Sequence, residues 1–120
     1  YILCLLPDST ATANLVNQTF LSYLPQHAVL INAGRGTSID DKALITALDN
    51  QQLQAAVLDV FHQEPLPAAH PYWQTDNLYI TQHTAATSKP EQISPLFIEN
   101  YLRYFEGSPL ENQLDFNKGY

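Results

Sequence analysis

Four side chains in this sequence stand where an apolar run gives way to polar residues. Arg35 follows AVLIN (28–32), Asp59 ends LQAAVLD (53–59) with Glu64 just beyond, and His83 ends NLYITQH (77–83). Their types suit proton transfer beside a bound anion. A guanidinium can grip a carboxylate through two parallel hydrogen bonds. An imidazole exchanges a proton near neutral pH. A carboxylate bonded to that imidazole fixes its tautomer and favours its protonated form. If the three runs are parallel strands of one sheet, the four groups converge on the crevice outside the strands' carboxyl ends. That crevice is where open α/β sheets take their ligands.

Each group also has a plainer reading. Arg35 alone would be a surface arginine on a turn, His83 a satisfied histidine under a helix, and Asp59 and Glu64 solvated loop acids. Their shared placement favours chemistry. Thr84, Ala85 and Ala86 after His83 are small and let a ligand approach. His27, His62 and His70 have no comparable placement and read as surface or loop residues. A metal site is disfavoured, because no two ligands share close helical spacing and Arg35 would oppose a cation. No nucleophile elbow and no Gly-rich phosphate loop is visible.

The bulk properties narrow the class. The chain has 120 residues, 45% of them hydrophobic and 14% charged, which suits one folded domain. A net charge of −7 with five Lys and Arg leaves no basic patch for nucleic acid or for an anionic membrane surface. No apolar stretch approaches the ~20 residues of a membrane span. The single cysteine, Cys4, lies in an apolar run and reads as a core residue in a reducing compartment, hence a cytoplasmic protein. The sequence contains no Met and opens on an apolar strand, as a piece of a longer protein would.

The elements that must position the four groups follow from periodicity. YILCLL (1–6) reads as a strand covered on both faces. Residues 12–24 carry a helical face of Leu15, Val16, Phe20, Tyr23 and Leu24, with Asn17 or Thr12 as cap and Pro25 as stop. AVLIN is the second strand, and in the turn after it Gly34 and Gly36 permit unusual backbone angles. Asp40 caps a helix that presents Leu44, Ala47 and Leu48. LQAAVLD and NLYITQH are the third and fourth strands, joined by a Pro-rich loop over 61–76. Ser88 and Glu91 have capping-box spacing for a last helix. Pro95 either kinks that helix or restarts it behind Ser94. Leu96, Phe97, Tyr101 and Tyr104 form its stripe, and Gly107 ends it. This order of strands and helices predicts an α/β fold with a mostly parallel sheet and right-handed crossovers.

The residues also carry a family resemblance. Asn32-Ala33-Gly34-Arg35-Gly36, Leu58-Asp59-Val60-Phe61 with Glu64-Pro65, and Gln82-His83-Thr84-Ala85-Ala86 succeed one another as in the carboxyl-terminal part of the D-isomer-specific 2-hydroxyacid dehydrogenases. Leu6-Pro7-Asp8-Ser9, with Thr12 and Leu15, resembles the segment after that family's fourth nucleotide-domain strand. Pro65-Leu66-Pro67, Pro71-Tyr72-Trp73-Gln74 and Gly119-Tyr120 are more similar to its glyoxylate/hydroxypyruvate reductase A branch. One departure is Gln82, where the family usually has proline before the histidine.

The resemblance implies the second half of a Rossmann-type parallel sheet over residues 1–88. A crossover helix and tail over 89–120 would return to a substrate domain. It implies an NAD(P)H-dependent reductase of small 2-oxo acids in the longer protein, a homo-oligomer, with the isolated piece inactive. Arg35 would bind the substrate carboxylate, His83 would donate a proton, and Glu64 would keep His83 protonated. Asp59 would contact the nicotinamide carboxamide. Leu6, Pro7, Thr12, Ala33, Gly34, Arg35, His83 and Ala85 would also line the cofactor, and Trp73 would sit at the substrate pocket. The rival implication is a non-catalytic, corepressor-type binding module on the same fold. The joint presence of Arg35, Glu64 and His83 favours the enzyme. A receiver-like or flavodoxin-like domain would want acids or a phosphate loop after the first strand, for which Pro7-Asp8 is poor.

Overall fold

The computed structural model describes residues 1–116 and 118. Gly119 and Tyr120, which contribute to the resemblance, lie outside them. The chain divides into two compact units, Tyr1–Ala85 and Ala86–Tyr120.

The first unit is built on four parallel strands: β1 (Ile2–Cys4), β2 (Val29–Asn32), β3 (Ala55–Leu58) and β4 (Leu78–Ile80). They lie in the order β1-β2-β3-β4. Cys4, Asn32, Leu58 and Ile80 are in register across the sheet. Each strand therefore hands its next residues to the same edge, which satisfies the condition for convergence. Apolar alternation sends Leu30, Ala56 and Leu58 to one face, where they are buried. There they join Leu21 of α1 (Gln18–Ser22) and Leu44, Ala47 and Leu48 of α2 (Asp41–Asp49) in one core.

The capping signals act as predicted at α2, where the Asp40 side chain accepts the Ala43 N–H. At α1, Asn17 is the cap and accepts from the Phe20 N–H. The helix is shorter than the apolar pattern over 12–24 predicts. Thr12 spends its hydroxyl on the Pro7 carbonyl and the Ser9 carbonyl instead. Val16 bridges to Ile39 as an extended residue.

β1 differs from the expectation of a strand covered on both faces. Cys4 is buried, but Leu3 is 59% exposed and Leu5 62%. The reason is topological: β1 is an edge strand, and the buried core lies on the Cys4 side of the sheet.

In the second unit, α3 (Pro90–Glu106) runs through Pro95 as one helix. Lys89 is its N-cap, without a side-chain bond, so the spacing of Ser88 and Glu91 does not make a capping box. Gly107 ends the helix in the left-handed region, at φ 69°. The following segment folds back through Arg103, which pairs with Glu99 and Glu111. No described helix is long and apolar enough to cross a membrane.

Candidate functional site

The turn after β2 is fixed by a neutral side chain. Asn32 is fully buried; its carbonyl accepts the Gly34 N–H and its amide donates to the Arg35 carbonyl. The Ser38 hydroxyl donates to the same carbonyl at 2.7 Å. Neither Gly34 nor Gly36 takes a left-handed backbone. They are needed because other backbone lies against them. A Cβ on Gly34 would stand 2.7 Å from the Leu6 nitrogen, and one on Gly36 would stand 2.0 Å from the Phe61 carbonyl carbon. The β2 turn is thus wedged between the exits of β1 and β3. Arg35 is held out of this packing: it is exposed and donates to the Gly34 carbonyl at 2.8 Å. It forms no ion pair among the described residues.

The exits of β3 and β4 are joined by a charged side chain. Asp59 is 5% exposed. Its carboxylate accepts the Thr81 hydroxyl and the backbone N–H groups of Thr84 and Ala85. Burial works against ionisation, but these three donors and the His83 imidazole outweigh it and hold the Asp59 pKa below the usual value. The His83 N–H donates to the Asp59 carbonyl at 2.8 Å. Wrapped around Asp59 in this way, His83 takes a left-handed backbone at φ 55°, a conformation that costs energy and gathers at functional sites.

That turn presents the His83 ring to Glu64. Nδ1 lies 2.8 Å from Oε2 of Glu64. The other carboxylate oxygen accepts the Phe61 N–H at 2.9 Å. The His83 bond and the Phe61 N–H, helped by the charges of His83 and Arg35, lower the Glu64 pKa against the opposing effect of burial. An ionised Glu64 accepts at Nδ1, so Nδ1 carries its proton and Nε2 is left for a ligand. His83 and Glu64 line a cleft of about 400 Å³, with Phe61, Leu66, Trp73 and Ile80 supplying apolar wall. Trp73 is half exposed and anchored by its indole N–H on the Pro67 carbonyl.

The predicted residues thus share one sheet edge. Leu6 and Pro7 follow β1, Ala33, Gly34 and Arg35 follow β2, Asp59 follows β3, and His83 and Ala85 follow β4. Thr12 is tied to Pro7 at 2.7 Å. Two expectations change in detail. The oxygens of Asp59 are engaged inside the fold rather than open to the crevice. His62 and His70, read as uninvolved loop residues, both face Asp41 at 3.6 and 3.5 Å. Sequence reading assigned Asn32 no role, although an asparagine closing an apolar strand before Ala-Gly is a turn signal. Among the described residues no cluster of His, Cys, Asp and Glu could hold a metal ion.

The comparisons with known proteins agree with this arrangement. The family model for D-isomer specific 2-hydroxyacid dehydrogenase, NAD binding domain, matches residues 1–85. The glyoxylate/hydroxypyruvate reductase A of Klebsiella pneumoniae is 36% identical over 116 residues, covering 97% of this chain and 37% of the relative. The D-isomer specific 2-hydroxyacid dehydrogenase of Xanthobacter autotrophicus Py2, solved with NADPH and MES, is similar with a TM-score of 0.91. It is 40% identical, covering 98% of this chain and 49% of that one. The NADPH-dependent glyoxylate/hydroxypyruvate reductase of Sinorhizobium meliloti, solved with NADP and sulfate, has a TM-score of 0.88 and 33% identity. That match covers 98% of this chain and 39% of the other. The chain therefore spans well under two thirds of the length of these relatives.

Proposed function

This chain belongs to the D-isomer specific 2-hydroxyacid dehydrogenase family, and from that premise we propose that it is the carboxyl-terminal part of an NAD(P)H-dependent reductase of small 2-oxo acids. Residues 1–88 would complete the dinucleotide-binding domain, and 89–120 would lead back to a substrate domain. The observation that carries the reading is the His83–Glu64 couple, with Nδ1 and Oε2 2.8 Å apart at the mouth of an apolar cleft.

A nicotinamide cofactor would supply hydride to the substrate. The strand exits fit such a group: Gly34 and Gly36 pack flush against backbone, so the β1, β2 and β3 exits form one rim. Leu6, Pro7, Thr12, Ala33, Gly34 and Ala85 stand along it, with Arg35 and His83. Asp59 acts there through the Thr81–Ala85 turn that it holds.

Within the crevice Arg35 would exchange its bond to the Gly34 carbonyl for the substrate carboxylate. His83, as the imidazolium, would hydrogen-bond the 2-oxo group through Nε2 and give that proton to the carbonyl oxygen, itself becoming a neutral imidazole. Glu64 keeps the Nδ1 proton in place and stabilises the imidazolium before transfer. Trp73 and Phe61 close the apolar side of the cleft, where the remainder of a small substrate sits.

The test is a hybrid in which residues 1–120 replace the matching segment of the Sinorhizobium meliloti reductase. NADPH oxidation is followed with glyoxylate and hydroxypyruvate. His83→Asn should lower kcat by about 10²–10⁴, the usual loss with a proton donor, and Arg35→Ala should chiefly raise KM. A near-normal kcat for His83→Asn would remove the assignment. A folded, NADPH-binding hybrid with no turnover would favour the non-catalytic module.

A further inference from the structure

The loop between β3 and β4 carries half of the cleft, yet it contains only one short 3₁₀ turn, Pro71–Gln74. What holds it is a polar cluster away from the cleft. Asp41, the first residue of α2, accepts the Tyr72 hydroxyl at 2.7 Å. The Nε2 atoms of His62 and His70 lie 3.6 and 3.5 Å from the two oxygens of the same carboxylate. His62 Nε2 also reaches the Ile39 carbonyl at 2.8 Å, so it is the protonated nitrogen. His70 accepts the Tyr72 N–H on Nδ1, and its ring lies tilted against that of Tyr72, with centroids 4.6 Å apart. Tyr72 is 3% exposed. Burial first, and then the hydrogen bond and negative charge of Asp41 with Asp40 behind it, push its phenol far above the ordinary value, so the hydroxyl remains a donor.

Along the loop the two tasks alternate. Phe61, Glu64, Leu66 and Trp73 line the cleft. His62, His70 and Tyr72 turn to Asp41. Phe61 and His62 are neighbours, as are Tyr72 and Trp73, so two of the three anchors lie next to a residue of the cleft wall. We propose that Asp41 and Tyr72 are positioning residues for the proton-donor couple: their bond, with His62 and His70 around it, sets the loop at the height where Glu64 meets His83. The catalytic part of this inference rests on the reductase reading. The positional part does not.

The experiment follows the side-chain carboxyl of Glu64 by carbon-detected NMR titration in the 120-residue chain, with Asp59 as internal control. Two further groups face Glu64, His83 and Arg35, and both are unchanged in the variants. Tyr72→Phe keeps the ring and removes the donor. The Glu64 midpoint should then rise toward the ordinary glutamate value. The Phe61 amide should exchange about tenfold faster or more, the scale of a hydrogen bond to a charged group. The Asp59 midpoint should stay in place, since its donors lie in the turn after β4. Asp41→Asn retains an acceptor for Tyr72 and should largely keep the Glu64 midpoint low. Should Tyr72→Phe fail to fold, Asp41→Leu, which removes the acceptor and leaves the phenol, gives the same readout. A folded Tyr72→Phe or Asp41→Leu with an unmoved Glu64 midpoint overturns the proposal. In the hybrid reductase Tyr72→Phe should lower kcat more than it changes KM. An inactive parent hybrid would end the reductase reading while leaving the titration result standing.

Discussion

Two neighbouring strand exits solve the same problem with different chemistry. At the β2 exit the buried side chain is Asn32, neutral, with its amide and carbonyl both bonded to the turn that it stabilises. At the β3 exit the buried side chain is Asp59, ionised, with its oxygens gathering donors from the turn after β4. The two are in contact through backbone, the Asp59 N–H donating to the Asn32 carbonyl at 2.9 Å. The neutral exit fixes a shape and leaves its charge, Arg35, outside. The charged exit uses its charge to build the turn that carries His83. One exit is a rigid mount for an exposed cation; the other is built around a buried carboxylate.

The sharpest way to break the neutral mount is steric. Gly36→Ala puts a Cβ 2.0 Å from the Phe61 carbonyl carbon and 2.5 Å from the His62 nitrogen. Overpacking usually costs about 1–3 kcal/mol when side chains can yield. Here backbone meets backbone at the start of the functional loop. The expected loss is about 3 kcal/mol or more, or no folded protein, read by urea denaturation. Normal stability for Gly36→Ala would mean that the β2 and β3 exits are not wedged together.

A paired exchange probes the comparison itself. Asn32→Asp replaces the N–H donor to the Arg35 carbonyl with an oxygen and buries a charge with no opposite charge beside it and only the Gly34 N–H as donor, at a cost of about 3–5 kcal/mol. Asp59→Asn turns an N–H toward groups that are already donors and should cost about 1.5–3 kcal/mol, the range of a hydrogen bond to a charged group. Denaturant unfolding of both variants ranks them. The reverse order would show that Asn32 has access to compensation and that the β2 exit is not the more demanding of the two.

The parts of this fold that the sequence announces are those fixed by local pattern. Apolar runs bounded by Gly, Pro and Asp give all four strands, and the Asp40 cap with Leu44, Ala47 and Leu48 gives α2. The convergence of Arg35, Asp59, Glu64 and His83 follows once parallel order is assumed, because each lies a few residues past a strand end. What the pattern hides depends on tertiary contact. The pattern over 12–24 mimics a longer helix because Val16 is buried as an extended residue against Ile39, and burial looks the same in either conformation. Gly34 and Gly36 announce a turn, but their reason is the backbone of distant residues, which no window of sequence contains. Asp41, His62, His70 and Tyr72 have no shared spacing at all. They meet because the loop after β3 returns across the start of α2.

The smallest expected effect sharpens the comparison through pH. Asp59 and Glu64 both have pKa values lowered in the folded chain from ordinary values of 3.8 and 4.5. A carboxylate whose folded pKa is depressed stabilises the fold fully above its unfolded value. That stability disappears as pH falls through the folded pKa, where both states bind the proton. The contribution of these two groups should therefore be constant from neutral pH down to the ordinary carboxylate range and decline below it. Asn32 does not titrate, so the β2 exit adds nothing to this slope. Thermal unfolding measured from pH 7 to pH 3 should show the decline in the parent chain. It should be shallower in Asp59→Asn and in Glu64→Gln, with Asp59→Asn the flatter of the two because its carboxylate is the more buried. Glu64 is partly exposed, and solvent screens its share. An acid slope untouched by Asp59→Asn would mean that the charged exit is held by its backbone bonds alone. The distinction between the two exits would then be one of geometry and not of charge.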